Sequence, residues 1–287
     1  MLNLNYPGLD DFLRSVLDED IGTGDITTLS CVSESAVSKG AFIAKEPGVI
    51  SGINVLKRVF EILDDSVSVV TFVNDGDTVK KGDVIAGISG SSRAILTGER
   101  TALNLLQHMC GIATRTAEAV NEVSGTNTKI LDTRKTTPGM RALDKYAVTC
   151  GGGTNHRFNL SDAVLIKDNH IKAAGGIANA VNLVKKSISQ ISASSEGKKI
   201  KIEVETETLA QVEQALEAGA DIIMLDNMPP EKMAEAVKTI SGRALTEASG
   251  NMGERDLISI AGTGVDFISI GALTHSVKSM DISLRFE

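Results

Sequence analysis

The chain has 287 residues, 42% hydrophobic and 23% charged, with 29 Lys plus Arg against 37 Asp plus Glu and a formal charge of −8. That length allows one large or two ordinary domains with a core that needs no disulfide or metal, and the mix excludes a disordered chain, a collagen-like fibre and a small disulfide scaffold. The acidic balance, 3% aromatic content and lack of Trp argue against a nucleic-acid binder, and no run approaches the ~20 apolar residues of a membrane helix.

The opening, MLNLNYPGLDDFLRSVLDEDIG, is acidic and broken by Pro7 and Gly8. It lacks the basic and apolar regions of a secretory signal. Cys31, Cys110 and Cys150 show no CxxC spacing, so neither a disulfide framework nor a zinc site is expected and a reducing cytoplasm is the default. Over residues 1–30, Leu9, Phe12, Leu13 and Val16 predict an amphipathic helix, ended by a turn at Gly22, Gly24 and Asp25. From Ser38 to Ser89, valines and isoleucines alternate with polar residues between turn signals, which predicts strands around one helix near INVLKRVFEIL. The stretch VNDGDTVKKGDVIAGI resembles a lipoyl-type hairpin, but its lysines are not flanked as a carrier Lys would be, and it reads as plain β structure. Residues 93–122 carry the longest apolar stripe, with Ser91 and Ser92 as candidate caps; past Gly111 the helix either continues or restarts.

From Lys129 a rhythm sets in. KILDTRK (129–135), AVLIKDNH (163–170), KIEVETE (201–207), DIIMLDN (221–227), RALTEASG (243–250) and FISIGA (267–272) are apolar runs separated by helical segments. Such alternation makes parallel β/α structure, whose strands are buried on both faces. Six runs are too few for a (β/α)8 barrel, so an incomplete barrel is expected.

In such folds chemistry sits at the strand C-termini. Here those ends deliver Asp132, Thr133, Arg134 and Lys135; Lys167, Asp168, Asn169 and His170; Glu203 and Glu205; Asp226 and Asn227; Glu247, Ser249, Gly250 and Asn251; and Ser269, Gly271 and Ala272. Arg134, Lys135, Lys167 and the pair His156–Arg157 form a cationic set in an acidic protein, which calls for an anionic ligand. Arg suits carboxylate and phosphate. Glu205 and Asp226, from neighbouring strands, suit Mg2+ bound to a phosphate-bearing ligand. TEASGN and SIGAL are glycine turns leading into helices, where backbone N–H groups favour anions. The structural alternative is a set of salt bridges across strand ends, such as Lys167–Asp226.

CGGGTNHR (150–157) matches neither a P-loop nor a GxGxxG fingerprint and also reads as a flexible loop. GGI (175–177) reads as a helix start, His108 as a core or interface residue, and His275 is ambiguous. Zinc-hydrolase and acyl-transfer signatures do not occur.

ERTALNLLQHMCGIAT, LDTRKTTPGMRALDKYAVTCGGGTNHR, LIKDNH, IEVETE, MLDN, EASGN and SIGALTHS, with the opening EDIGTGDITT, resemble the quinolinate phosphoribosyltransferase family from about residue 9 to the end. The resemblance implies an α/β fold with an amino-terminal α/β sandwich domain (1–112) and an incomplete β/α barrel (113–273), residues 274–287 packing back on the former. It implies a cytoplasmic transferase of NAD biosynthesis, a homodimer or assembly of dimers, that converts quinolinate and phosphoribosyl pyrophosphate to nicotinate mononucleotide, pyrophosphate and CO2 with Mg2+. By resemblance, Arg134, His156, Arg157 and Lys167 surround quinolinate, Thr133 is a further substrate-binding residue, and Arg100 enters from the partner subunit. Lys135 faces phosphoribosyl pyrophosphate. Glu205 and Asp226 sit near ribose and metal, so that Lys135, Glu205 and Asp226 are the catalytic candidates. Ser249, Gly250, Asn251, Ser269, Ile270 and Gly271 bind phosphate. Glu203 shares a face with Glu205, and spacing alone does not separate them. Rival readings are a phosphoribosyltransferase acting on another substrate such as nicotinate, a barrel aldolase using Lys167 as a Schiff-base amine, and a non-catalytic sugar-phosphate sensor.

Overall fold

The structure is a computed structural model that describes residues 8–192 and 200–287; Pro7, expected to interrupt the first helix, lies outside them. In chain order the elements are α1 (Leu9–Ile21), α2 (Ile26–Cys31), β1 (Val37–Ala44), β2 (Gly48–Val49), α3 (Ile53–Leu63), β3 (Ser68–Thr71), β4 (Thr78–Val79), β5 (Val84–Ser91), α4 (Ser92–Glu122), β6 (Lys129–Leu131), α5 (Arg141–Cys150), β7 (Val164–Ile166), α6 (Asp168–Ala174), α7 (Ile177–Ser192), β8 (Ile202–Thr206), α8 (Leu209–Glu217), β9 (Ile222–Asp226), α9 (Pro230–Ile240), β10 (Leu245–Ser249), α10 (Leu257–Ala261), β11 (Phe267–Ser269), α11 (Ala272–His275) and β12 (Ile282–Phe286). They form an α/β fold of two compact units. One is the described part of Met1–Glu118 with Thr136–Gly153 and Leu273–Glu287; the other is Ala119–Lys135 with Thr154–Ala272. Contacts therefore group the chain differently from the boundary expected near residue 112. Residues 113–118 and 136–153 belong to the first unit, because Leu143, Ala147 and Val148 of α5 are buried in its core beside Leu106 and Met109 of α4.

The first unit holds an antiparallel sheet of order β12-β1-β5-β3, with β12 paired to β1 from Gly40↔Phe286 to Ala44↔Ile282. Along β1 every second residue from Gly40 is buried, and Phe42 meets Phe60 of α3 at 6.1 Å between ring centroids. β4 pairs with β2 in a separate ladder, so the lipoyl-like stretch is not a hairpin: β4 and β5 belong to different sheets. The predicted turn after α1 contains a short helix, α2, whose cap Asp25 accepts the Thr28 N–H at 2.9 Å. α4 continues through Gly111, where a Cβ would overlap the Lys278 carbonyl, so the missing side chain is what admits the returning tail. CGGGTNHR is likewise not simply a flexible loop. A Cβ on Gly151 would meet Thr116 Cβ at 2.7 Å, and one on Gly153 would meet Thr116 Cγ2 at 2.7 Å, so both glycines let the end of α5 close on α4.

In the second unit all six predicted runs are strands. They form one parallel sheet of order β6-β11-β10-β9-β8-β7. β6 and β7, consecutive within this unit, occupy opposite edges and do not pair, which leaves the barrel incomplete. The inner residues of the strands, such as Val204, Ile223, Leu225, Ala248 and Ile268, are buried, as both-face burial of parallel strands requires.

Candidate active site

A cavity of about 500 Å³ opens at the C-terminal ends of these strands. Alternation along each strand sends Lys167 after β7, Glu205 of β8, Asp226 of β9, Ser249 of β10 and Ser269 of β11 to the same side, into this cavity. Thr133, Arg134, Lys135, His156, Arg157, Gly250 and Asn251 complete the predicted set that lines it. Three predicted residues are not in its lining. Arg100 lies exposed on α4 in the first unit. Ile270 is fully buried and donates its N–H to the Leu131 carbonyl at 2.9 Å, which corrects its placement as a phosphate ligand. Of its turn only Ser269, and not Gly271, reaches the cavity.

The wall is electrostatically loaded. Burial, then the nearby Arg134 cation, lowers the Arg157 guanidinium from its usual value, opposed by Glu203. Arg157 is held by donating Nη1 to the Ala163 carbonyl at 3.0 Å. Arg134 Nε is buried without a hydrogen-bond partner among the described residues. Two guanidiniums kept close in a half-buried wall are favourable only with an anion between them. Lys167 pairs with Glu205 at 3.4 Å, not with Asp226 as the salt-bridge alternative supposed. Asp226 accepts from Asn227 Nδ2 at 2.7 Å, and the Lys135 N–H is donated to Thr133 Oγ1 at 3.0 Å.

Depth separates the two glutamates that alternation put on one face. Glu205 lines the large cavity. Glu203, one pleat deeper, lines a second cavity of about 170 Å³ that also touches Ile222 and Phe267 near the other strand ends. Glu203 Oε2 lies 3.2 Å from His156 Nε2.

The glycine turn after β10 is built by backbone geometry. Gly250 has φ +100°, and a Cβ there would overlap the Asn227 side-chain amide and lie 2.8 Å from the Asn227 N; Asn227 and Asn251 are themselves left-handed, at φ 55° and 51°. The expected helix N-terminus beside this turn is absent. α10 starts only at Leu257, and the Asp256 carboxylate already accepts its Ile258 and Ser259 N–H groups.

Glu247 and Asp132 occur among the strand-end residues read from sequence but were given no role. Glu247, fully buried, faces both cavities, and Asp132, also fully buried, accepts the His156 main-chain N–H at 2.7 Å. Alternation from Ser249 points to Glu247; nothing local points to Asp132.

An incomplete β/α barrel that gathers cations, carboxylates and a glycine turn at its strand ends is the site of an enzyme that handles anionic substrates. Comparison with known proteins makes this specific. Residues 25–110 match the amino-terminal domain model of quinolinate phosphoribosyl transferase, and residues 112–285 match its carboxy-terminal domain model. A Bacillus subtilis (strain 168) relative is 45% identical over 98% of this chain and 94% of its own. The nicotinate-nucleotide pyrophosphorylase [carboxylating] of Mycobacterium leprae (strain TN) is 42% identical over 96% of this chain and 95% of its own. The solved nicotinate-nucleotide pyrophosphorylase of Francisella tularensis superposes with a TM-score of 0.92 at 41% identity, covering 100% of this chain and 99% of that one. The chain belongs to the quinolinate phosphoribosyltransferase family. A human nicotinic acid phosphoribosyltransferase, at 11% identity and a TM-score of 0.63, shares the fold alone. Among the described residues, no helix is long and apolar enough to cross a membrane.

Proposed function

We propose that this chain transfers the phosphoribosyl group of phosphoribosyl pyrophosphate to quinolinate and releases CO2, giving nicotinate mononucleotide and pyrophosphate for NAD biosynthesis. The observation that carries this reading is the gathering of Arg134, Lys135, Arg157 and Lys167 around one cavity with Glu205, Asp226 and the Ser249–Gly250–Asn251 turn. A substrate with two carboxylates and a substrate with a pyrophosphate together match that charge.

Arg134, Arg157 and Lys167, with His156 and Thr133 beside them, hold quinolinate so that its ring nitrogen faces the ribose carbon. Ser249, Gly250, Asn251 and Ser269 hold the phosphate. The nitrogen forms the new C–N bond as the C–O bond to pyrophosphate breaks, and Lys135 stabilises the departing anion. A carboxylate from Glu205 or Asp226 stabilises positive charge developing at the ribose carbon. The ring, now cationic at nitrogen, accepts the electron pair of the adjacent carbon–carboxylate bond as CO2 leaves, and a proton takes the vacated position. Glu205 and Asp226 also fit Mg2+. Both face the cavity on neighbouring strands, and one or two carboxylates with phosphate and water oxygens are the donor set this ion prefers. When bound, Mg2+ neutralises charge on the pyrophosphate. We place the protein in the cytoplasm as a dimer or assembly of dimers, with the exposed Arg100 reaching the partner's cavity.

The test is a product assay with phosphoribosyl pyrophosphate and Mg2+, supplied with quinolinate or with nicotinate. Nicotinate mononucleotide and CO2 from quinolinate alone is the expected result. Turnover of nicotinate alone overturns the substrate, and no turnover by the folded protein overturns the reaction.

A further inference from the structure

Below the cationic wall lies a buried layer that the reaction as derived does not use. His156 Nε2 sits 3.2 Å from Glu203 Oε2 and 3.5 Å from Glu247 Oε2, on side chains only 5% and 1% exposed. The other oxygens of these acids, Glu203 Oε1 and Glu247 Oε1, are buried without a hydrogen-bond partner among the described residues. His156, Arg157 and Glu247 line both cavities, so this layer is the partition between them.

The decisive contact is on the opposite side of the ring. The Arg157 main-chain N–H donates to His156 Nδ1 at 2.7 Å. A nitrogen that accepts a hydrogen bond carries no proton, so the single ring proton is on Nε2, the nitrogen that lies 3.2 and 3.5 Å from the two acids. The charged groups facing the residue include Glu203 and Glu247 at Nε2, Asp132 at the main-chain N–H, and Arg157, whose cation Glu203 opposes. We propose that the Arg157 N–H keeps His156 a neutral imidazole protonated at Nε2 and that Glu203 and Glu247 are positioning residues that hold this ring in place, so that positive charge from this wall reaches the ligand through Arg157 and not through His156. The inference rests on the reading of the large cavity as the quinolinate site.

Two further points support it. Asp132 fixes the backbone of His156 and Ala163 fixes the guanidinium of Arg157, which leaves the imidazole as the element that the acids orient. An imidazolium at this point would need a proton on Nδ1, directed at the Arg157 N–H. The same three side chains lie within 4.8 Å of one another, close enough to share a metal ion, so metal binding is the competing explanation that the test must separate.

The experiment is nitrogen NMR of the full-length protein labelled with 15N-histidine. The chain has 4 histidines, and His156 is assigned by the signal lost in His156→Gln. The expected result at neutral pH, with chelator present, is a neutral ring protonated at Nε2 and unprotonated at Nδ1. Glu247→Ala, which leaves the Arg157 N–H at Nδ1 and Glu203 in place, should keep the proton on Nε2 but shift the Nε2 signal, and should raise the KM for quinolinate by at least about tenfold, with a smaller change in kcat. Glu247→Gln, which keeps an acceptor of the same shape, should restore the Nε2 signal and most of the KM. A residue that merely filled space would lower the melting temperature without moving the Nε2 signal. An imidazolium, a proton on Nδ1, or a signature that needs added metal overturns the proposal. If Glu247→Ala does not fold, the parent spectrum and Glu247→Gln still decide it. The spectrum requires no turnover, so a failed product assay overturns the reaction and leaves this result standing, and the reverse also holds.

Discussion

Truncation of Arg157 tests the cationic wall directly. Its guanidinium lines the cavity, is held by the Ala163 carbonyl and is crowded by Arg134. A charge-assisted contact to a substrate carboxylate, formed on a fixed side chain in a half-buried wall, is comparable to one oxyanion donor, about 2–4 kcal/mol in the transition state. Arg157→Ala should therefore lower kcat/KM for quinolinate by about 10²–10³-fold at saturating phosphoribosyl pyrophosphate. The fold should survive, because truncation removes both the desolvation of a buried cation and its repulsion from Arg134, offset by the loss of the charge opposite Glu203. Arg157→Lys keeps a charge but loses the planar fork and the Ala163 tether, and should fall between the parent and Arg157→Ala. Steady-state kinetics beside circular dichroism and thermal melts of each variant provide the assay. A loss under about tenfold in both Arg157→Ala and Arg134→Ala would refute the carboxylate cradle.

Gly250→Ala should disturb the phosphate turn, since a Cβ at φ +100° is strained by about 1–3 kcal/mol and overlaps the Asn227 amide; the KM for phosphoribosyl pyrophosphate should rise far more than that for quinolinate, and equal changes in both would contradict the assignment. Gly151→Ala, which would press a methyl against Thr116 at 2.7 Å, should cost about 1–3 kcal/mol by overpacking and lower the melting temperature by several degrees; an unchanged melt would mean that α5 and α4 can separate there without penalty. The buried Glu247 gives a pH dependence whose sign is set by its raised value. From the ordinary glutamate value of 4.5 up to about 8 the folded state binds more protons than the unfolded one, so this group's contribution to stability falls as pH climbs through that window. Urea melts across it should show a shallower decline in Glu247→Gln than in the parent, and an identical slope would show that another group titrates.

The sequence by itself determined the parallel unit. Every one of the six apolar runs from 129 to 272 is a strand of the same sheet, because burial on both faces leaves an unbroken apolar signature that local reading detects. The rule that chemistry gathers at strand C-termini also groups Lys167, Glu205, Asp226 and Ser249 from sequence, and the cavity brings them together. Relations between distant segments were not legible. The resemblance puts residues 136–153 in the barrel domain, but Leu143, Ala147 and Val148 bury in the core of the first unit. The glycines at 150–157 looked like slack in the chain, and only the neighbouring helix reveals that two of them are contact points. Glu203 and Glu205 are chemically alike and share a face, so spacing could not rank them; depth did, giving one to the cavity and the other to His156. His156 entered the cationic set because histidine can carry charge, but the proton on an imidazole is set by the partners at its two nitrogens. Those partners come from the following residue and from strands 47 and 91 positions away, and only the tertiary structure brings them together.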